Sequence, residues 1–237
     1  MGDIPIYYIN LNRSPDRNKN LLCYFTNNNI TNFKRIEAID GNNINISDVK
    51  EKFNINSTIS VYEIACTLSH YKAIKSFIED DKEYGLIMED DCRFDYLKYQ
   101  AITLDKLITL NKDWEILKLS STDKLRKKKF LNCYKLINNK FNTLISGSTV
   151  AYIITKNGAK RLINHINNNK TLINVADGFN FYGFLNTKSI YPPYFTYPFY
   201  KQNKSCIRPN VKSTHIIQTI SKQYWDNYYK SQKIYSL

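Results

Sequence analysis

The sequence predicts an α/β protein, a sheet of strand–helix–strand units with helices flanking it, and three observations carry that prediction. Short β-branched apolar runs alternate with helix-period segments, as in Ile4–Leu11, the stretch from Pro15, and then Phe33–Ile39. Helix-start signals stand directly behind strand-like runs, at Ser14-Pro15 and at Thr155. The apolar run Leu86-Ile87-Met88 stops at three consecutive acids, Glu89, Asp90 and Asp91. Acids at the exit of a buried strand lie at the carboxyl edge of a sheet, where α/β folds place their ligands.

In chain order, Ile4–Leu11 is the first strand, and Ser14 is placed to cap a helix that has Pro15 at its first position. Leu21, Leu22 and Phe25 give that helix an apolar face. A strand, a tight turn and a helix N-terminus make an anion site, because free N–H groups and the positive dipole end point outward. Arg13 and Arg17 flank the site, although either one taken alone reads as an ordinary surface arginine. Phe33–Ile39 is the second strand, ending at Asp40-Gly41, and completes a βαβ unit of the kind that binds nucleotides. Residues 42–57 are weakly patterned and suggest a short helix with loops.

Ser60-Val-Tyr-Glu63 is a capping box opening a helix to about Glu79, with Ile64, Leu68, Tyr71, Ile74 and Ile78 along one face. Ser69 and His70 lie beside that stripe, and a mid-helix histidine is more often a satisfied core residue than a ligand. The acidic strand from Tyr84 follows. Three adjacent carboxylates repel one another and favour a neutralising cation, with hard oxygen ligands suiting Mg²⁺ or Mn²⁺; the alternative is a solvated acidic turn. Leu97–Leu110 reads as a helix, and Trp114–Leu119 as a strand of alternating pattern. Lys124–Lys129 is a basic loop that is either solvated or able to meet a phosphate, an acidic acceptor or a membrane surface.

A strand over Ser146–Ile154 leads to a helix capped by Thr155, from Lys156 to about Ile166, with Ala159, Leu162 and Ile163 facing inward. Ile173–Gly178 again places an acid, Asp177, after apolar residues at a turn. The Pro-rich aromatic stretch Ser189–Pro198 suits an edge or a rim. From Pro209 the chain is Lys-, Tyr- and Gln-rich. It reads as an extension, 209–237, packed on or completing the same domain as 1–208.

Composition narrows the function classes. The formal charge of +13, from 34 basic and 21 acidic side chains, attracts polyanions without choosing among nucleic acid, anionic lipid and a phosphorylated small molecule. A nucleic-acid-binding protein is the rival class, since basic loops and abundant Tyr can bind single strands. No recognition motif for nucleic acid is present, however, and the acidic triplet would repel phosphates unless it held a metal, so no nucleic-acid partner is expected. The five cysteines are scattered, with no C-x-x-C pair, which favours a reducing compartment. With no signal-peptide pattern at the N-terminus and no apolar run of membrane-spanning length, a cytoplasmic location is expected, with peripheral membrane contact open.

Together the residues resemble glycosyltransferase family 25, the lipooligosaccharide galactosyltransferases and their collagen galactosyltransferase relatives. The matching pieces are Ile9–Arg17, Ala38–Gly41, Glu63–His70, Met88–Asp91, Ala151–Ala159, Asp177, and Gln202 with Ser205–Ile207. Tyr62 and Ala65 stand where the family usually has glycine. The resemblance implies a GT-A-like (Rossmann-type) mixed sheet flanked by helices, and a UDP-sugar donor. It also implies a glycan or glycoprotein acceptor and usually an inverting, metal-assisted transfer. By that resemblance Asn10, Leu11, Arg13 and Arg17 line the uridine and phosphate pocket, and Asp40 and Gly41 close it. Ser69 and His70 match the family's Ser-His pair. Glu89, Asp90 and Asp91 form the acidic triplet, with Asp91 the most direct ligand of Mn²⁺ or Mg²⁺. Asp177 is the candidate general base or, alternatively, a helix N-cap. His215 is the candidate third metal ligand, and His165 matches no motif.

Overall fold

A computed structural model describes residues 3–55, 58–94, 97, 100, 103–110, 113–120, 135–138, 148–171, 176, 183–191, 193–195 and 227. The elements in order are β1 (Ile6–Asn10), α1 (Pro15–Asn27), β2 (Phe33–Glu37), α2 (Ile46–Lys52), α3 (Val61–Glu79) and β3 (Tyr84–Glu89). They continue with α4 (Leu104–Leu110), β4 (Ile116–Lys118), β5 (Lys135–Asn138), β6 (Ala151–Thr155), α5 (Lys156–Asn169) and β7 (Thr187–Tyr191). The strands form one mixed sheet of seven, in the order β2-β1-β3-β6-β4-β7-β5. β1 runs parallel to both β2 and β3, so three neighbouring strands deliver their carboxyl ends to the same edge. β6 is antiparallel to both β3 and β4, while β7 pairs parallel with β4 and antiparallel with β5.

Successive strand residues feed two different cores. Ile6, Tyr8, Leu86, Met88, Leu117 and Ile153 pack with α1 and α4 residues such as Leu21, Phe25, Leu104 and Leu107. Tyr7, Ile9, Ile87, Ile116, Tyr152 and Ile154 pack with Ala73, Ile74 and Phe77 of α3 and with Leu162 and Ile166 of α5. Covering both faces explains why the strands read as continuous apolar runs. Each fully buried large apolar side chain contributes about 1.5–3 kcal/mol relative to leaving it in water. Gly85 is required by the same closeness, since a Cβ there would lie 2.6 Å from the Phe77 ring.

Local signals held at most helix ends. Ser60 and Glu63 make both halves of the capping box, and the Thr155 side chain accepts from Gly158 N–H. Ser14 occupies the N-cap of α1 but makes no side-chain cap bond, so Pro15 is the working start signal there. Several expectations need correction. The helix read over Leu97–Leu110 begins only at Leu104, where the Thr103 hydroxyl accepts from Lys106 N–H and starts the first turn. The strand at Trp114–Leu119 does not alternate: all of Ile116–Lys118 is buried because both sheet faces are covered. Along α3, Tyr71 and Ile78 are only partly buried, while Thr67, His70 and Phe77 are fully buried. The stretch read as an edge or rim from Ser189 begins inside the sheet, since β7 lies between β4 and β5 and the prolines follow it. No helix among the described residues is long and apolar enough to cross a membrane. Lys124–Lys129, Asp177, residues 202–207 and His215 lie outside the described residues, as does all of 209–237 except Asn227.

Candidate functional site

A cavity opens at the shared carboxyl edge of β1, β2 and β3. The exit of β1 supplies Ile9, Leu11 and Arg13, and the first turn of α1 supplies Arg17. The segment after β2 contributes Ala38, Ile39 and Gly41; α3 contributes Tyr62, Ala65, Cys66, Ser69 and His70. Glu89, Asp90 and Asp91 form the floor. The topology explains this convergence: hydrogen bonds from Asp90 N–H to Ile9 O and from Ala38 N–H to Asn10 O carry the parallel pairing just past the strand ends. Ser69 ties the third wall on. Its hydroxyl accepts from Ile39 N–H and donates to Ala65 O, fixing α3 to the end of β2.

Part of the charge of the acidic triplet is offset from within the chain. Arg17 Nη1 lies 3.0 Å from Asp90 Oδ1 and 3.7 Å from Asp91 Oδ2. Asn10 Nδ2 donates to Asp90 Oδ2 at 2.7 Å, and Arg35 Nε donates to Asn10 Oδ1 at 3.0 Å. Asn10 is therefore not a cavity wall, as the sequence suggested; at 1% exposure it is a buried buttress behind Asp90. Burial is the largest influence on Asp90 and pushes its carboxyl above the ordinary value, with Glu89 adding repulsion and Arg17 and Asn10 opposing.

Glu89 is held differently. Its Oε1 accepts from the Thr149 hydroxyl at 3.1 Å and lies 3.3 Å from His70 Nε2, while His70 Nδ1 is 3.2 Å from the Tyr152 hydroxyl. Burial works against ionisation of Glu89, but His70, with help from Thr149 and Arg17, outweighs it and holds the carboxyl below its ordinary value. His70 is thus both things the sequence left open: a fully buried residue of α3, and a wall of the cavity.

At the opposite rim Arg13 Nε meets Asp40 Oδ2 at 2.6 Å, and Asn42 N–H donates to Asp40 Oδ1 at 2.9 Å. That backbone bond, opposed by partial burial and reinforced by Arg13, lowers the Asp40 pKa. Asp40 does not itself line the cavity; it orients Arg13, which does. Gly41 is needed for contact, because a Cβ there would fall 2.6 Å from Tyr62 Cδ1. The Tyr62 hydroxyl donates to Asn42 at 3.0 Å.

Metal donors of two kinds are present. Glu89 and Asp91 both reach the cavity, an oxygen pair that fits a hard divalent ion. Asp90 fits that role poorly, being committed to Asn10 and Arg17. Cys66, His70 and Glu89 form a second grouping, with their ligand atoms all within 4.8 Å of one another. Cys66, Thr149 and Tyr152 were missed in the sequence. Cys66 carried a signal, standing one helical turn before His70 on the same face, whereas Thr149 and Tyr152 arrive across an antiparallel pairing that no local pattern announces.

Fold and cleft together define an α/β ligand-binding domain with carboxylates and arginines gathered at the carboxyl edge of its parallel strands. The chain belongs to glycosyltransferase family 25: residues 3–177 match the family described as "Glycosyltransferase family 25 (LPS biosynthesis protein)". It is similar to procollagen galactosyltransferase 2 of Homo sapiens, 29% identical over 176 residues, covering 69% of this chain and 28% of that protein. A glycosyltransferase 25 family member of Aedes aegypti is 27% identical over 178 residues, 69% of this chain and 28% of that one. Procollagen galactosyltransferase 1 of Danio rerio is 24% identical over 180 residues, 69% and 29% of the two chains. The chain therefore spans less than a third of the length of these relatives.

Proposed function

We propose that the chain moves a hexose from a UDP-sugar to a hydroxyl of a glycan or glycoprotein acceptor, with inversion and with the help of Mn²⁺ or Mg²⁺. The observation that carries this reading is the convergence of Arg13 and Arg17 with Glu89 and Asp91 in one cavity. A nucleotide diphosphate needs cationic side chains for its phosphates, and the carboxylates suit an accompanying divalent ion. The relatives' printed names make galactose the first donor to test and a collagen-like protein one acceptor.

In this reading Leu11, Ile39 and Tyr62 offer apolar surface to the base, while Arg13 and Arg17 meet the diphosphate. Glu89 and Asp91 would hold the divalent ion, with His215 as a third ligand. An ion held there would supply positive charge to offset the negative charge of the leaving diphosphate. Asp177 takes the proton of the acceptor hydroxyl as it attacks. A second cavity of about 580 Å³, lined by Asn20, Tyr24 and Arg93, shares Arg17, Asp90 and Asp91 with the first and offers room for an acceptor.

The test is a panel of UDP-sugars with Mn²⁺, read by thermal stabilisation and by release of UDP with and without an acceptor. UDP at about a hundred times its Kd should stabilise the fold by ~2.7 kcal/mol. Asp91→Ala should abolish the manganese-dependent part of that shift, whereas Asp177→Ala should keep binding and lose turnover. Absence of any UDP-dependent shift in the wild-type chain would overturn the proposal.

A further inference from the structure

We infer that Cys66, His70 and Glu89 form a three-ligand site for a borderline divalent ion, Zn²⁺ in preference to Mg²⁺, with one coordination position open to the cavity. The inference does not rest on the transferase reading, although it shares Glu89 with it.

Three observations converge on this site. The thiol, an imidazole nitrogen and a carboxylate oxygen lie within 4.8 Å of one another, the one such grouping of three found among the described residues. Cys66 and His70 are one turn apart on α3, and Glu89 ends the strand that faces them, so two rigid elements present the donors. His70 Nε2 and Glu89 Oε1 are 3.3 Å apart, which matches the edge of a tetrahedral site with metal–ligand bonds of about 2.0–2.2 Å.

The surroundings are those a metal-binding histidine needs. With a metal bound, Nδ1–H can donate to the Tyr152 hydroxyl 3.2 Å away while Nε2 gives up its hydrogen bond to Glu89 and turns its lone pair to the ion, and the Thr149 hydroxyl donates to Glu89 Oε1. Such partners fix the tautomer and the carboxylate orientation. The donor set selects the ion: a thiolate and an imidazole suit zinc, whereas magnesium demands oxygen. Binding takes Cys66 as its thiolate, and its proton leaves to solvent. All three ligands line the cavity wall, so an oxygen from water or a bound molecule can fill the fourth position.

The experiment uses the full chain, stripped of metal by chelation, kept reduced, and titrated with Zn²⁺ against a chromophoric zinc chelator in excess Mg²⁺. One Zn²⁺ per chain is expected, unmoved by Mg²⁺. Cys66→Ser and Glu89→Gln should each weaken it by more than about a hundredfold, and Tyr152→Phe by about tenfold. A second measurement needs no variant. Zn²⁺ should slow iodoacetamide labelling of Cys66 in the wild-type chain by at least about tenfold, with labelling of the exposed Cys23 unchanged. Affinity retained within about threefold in either Cys66→Ser or Glu89→Gln, or Cys66 labelling indifferent to Zn²⁺, would show that the triad is a hydrogen-bond network only.

Discussion

Arg17 shows how much of the site depends on single side chains. Three adjacent carboxylates would repel one another, and a cation was the expected remedy, yet one guanidinium supplies charge to both Asp90 and Asp91. A phosphate arriving at Arg17 therefore meets an arginine already committed, and binding must partly exchange one partner for another. Asp40 offers a cleaner probe, because its depressed pKa comes from the Asn42 N–H and Arg13 rather than from the triplet. A carboxylate whose folded pKa lies below its unfolded value stabilises the fold at pH above the unfolded value, near 3.8. That contribution disappears as pH falls through the folded pKa. Asp40→Asn should thus be less stable than wild type by a constant margin from pH 5 to 7. Denaturant melts below about pH 4 should show the margin closing.

At the scale of elements, α3 does the most to shape the cavity. It supplies Tyr62, Ala65, Cys66, Ser69 and His70 from one side, and Ser69 bonds it to the end of β2. Its N-terminus is secured by the reciprocal Ser60–Glu63 pair. Ser60→Ala should cost about 1 kcal/mol by denaturant unfolding, and more of the loss should appear in hydrogen exchange of the first turn than in β1 or β3. Restoration by Ser60→Asp would separate the cap from any side effect of the substitution. The sequence announced this helix through its cap and its apolar spacing, and Ile64, Leu68 and Ile74 of the stripe are buried as read, but the covered face is wider than the stripe. Thr67 and His70 are fully enclosed because α3 packs on the sheet beside α5, with His70 also meeting Tyr152 and Glu89, so residues flanking the stripe are covered too.

Across the whole molecule, the charge of +13 predicts weak, non-specific attraction to polyanions. A short single-stranded oligonucleotide should bind at low salt and be released near 0.15 M, about where the screening length falls to 8 Å, while UDP binding persists. Equal salt sensitivity of the two in fluorescence anisotropy would point instead to a polyanion-binding surface. The sequence by itself determined the α/β class, the first βαβ unit, the acidic strand end and the arginines at the turn. Each of these is written in local periodicity or in a cap within one segment. Only the tertiary structure decided that Asn10 buttresses Asp90, that Arg17 reaches residues 73 positions away, and that Thr149 and Tyr152 hold Glu89 and His70. Those contacts run between strands paired through long crossovers and an antiparallel return. The energy that orders them comes from covering both sheet faces at once, which no single stretch of sequence encodes.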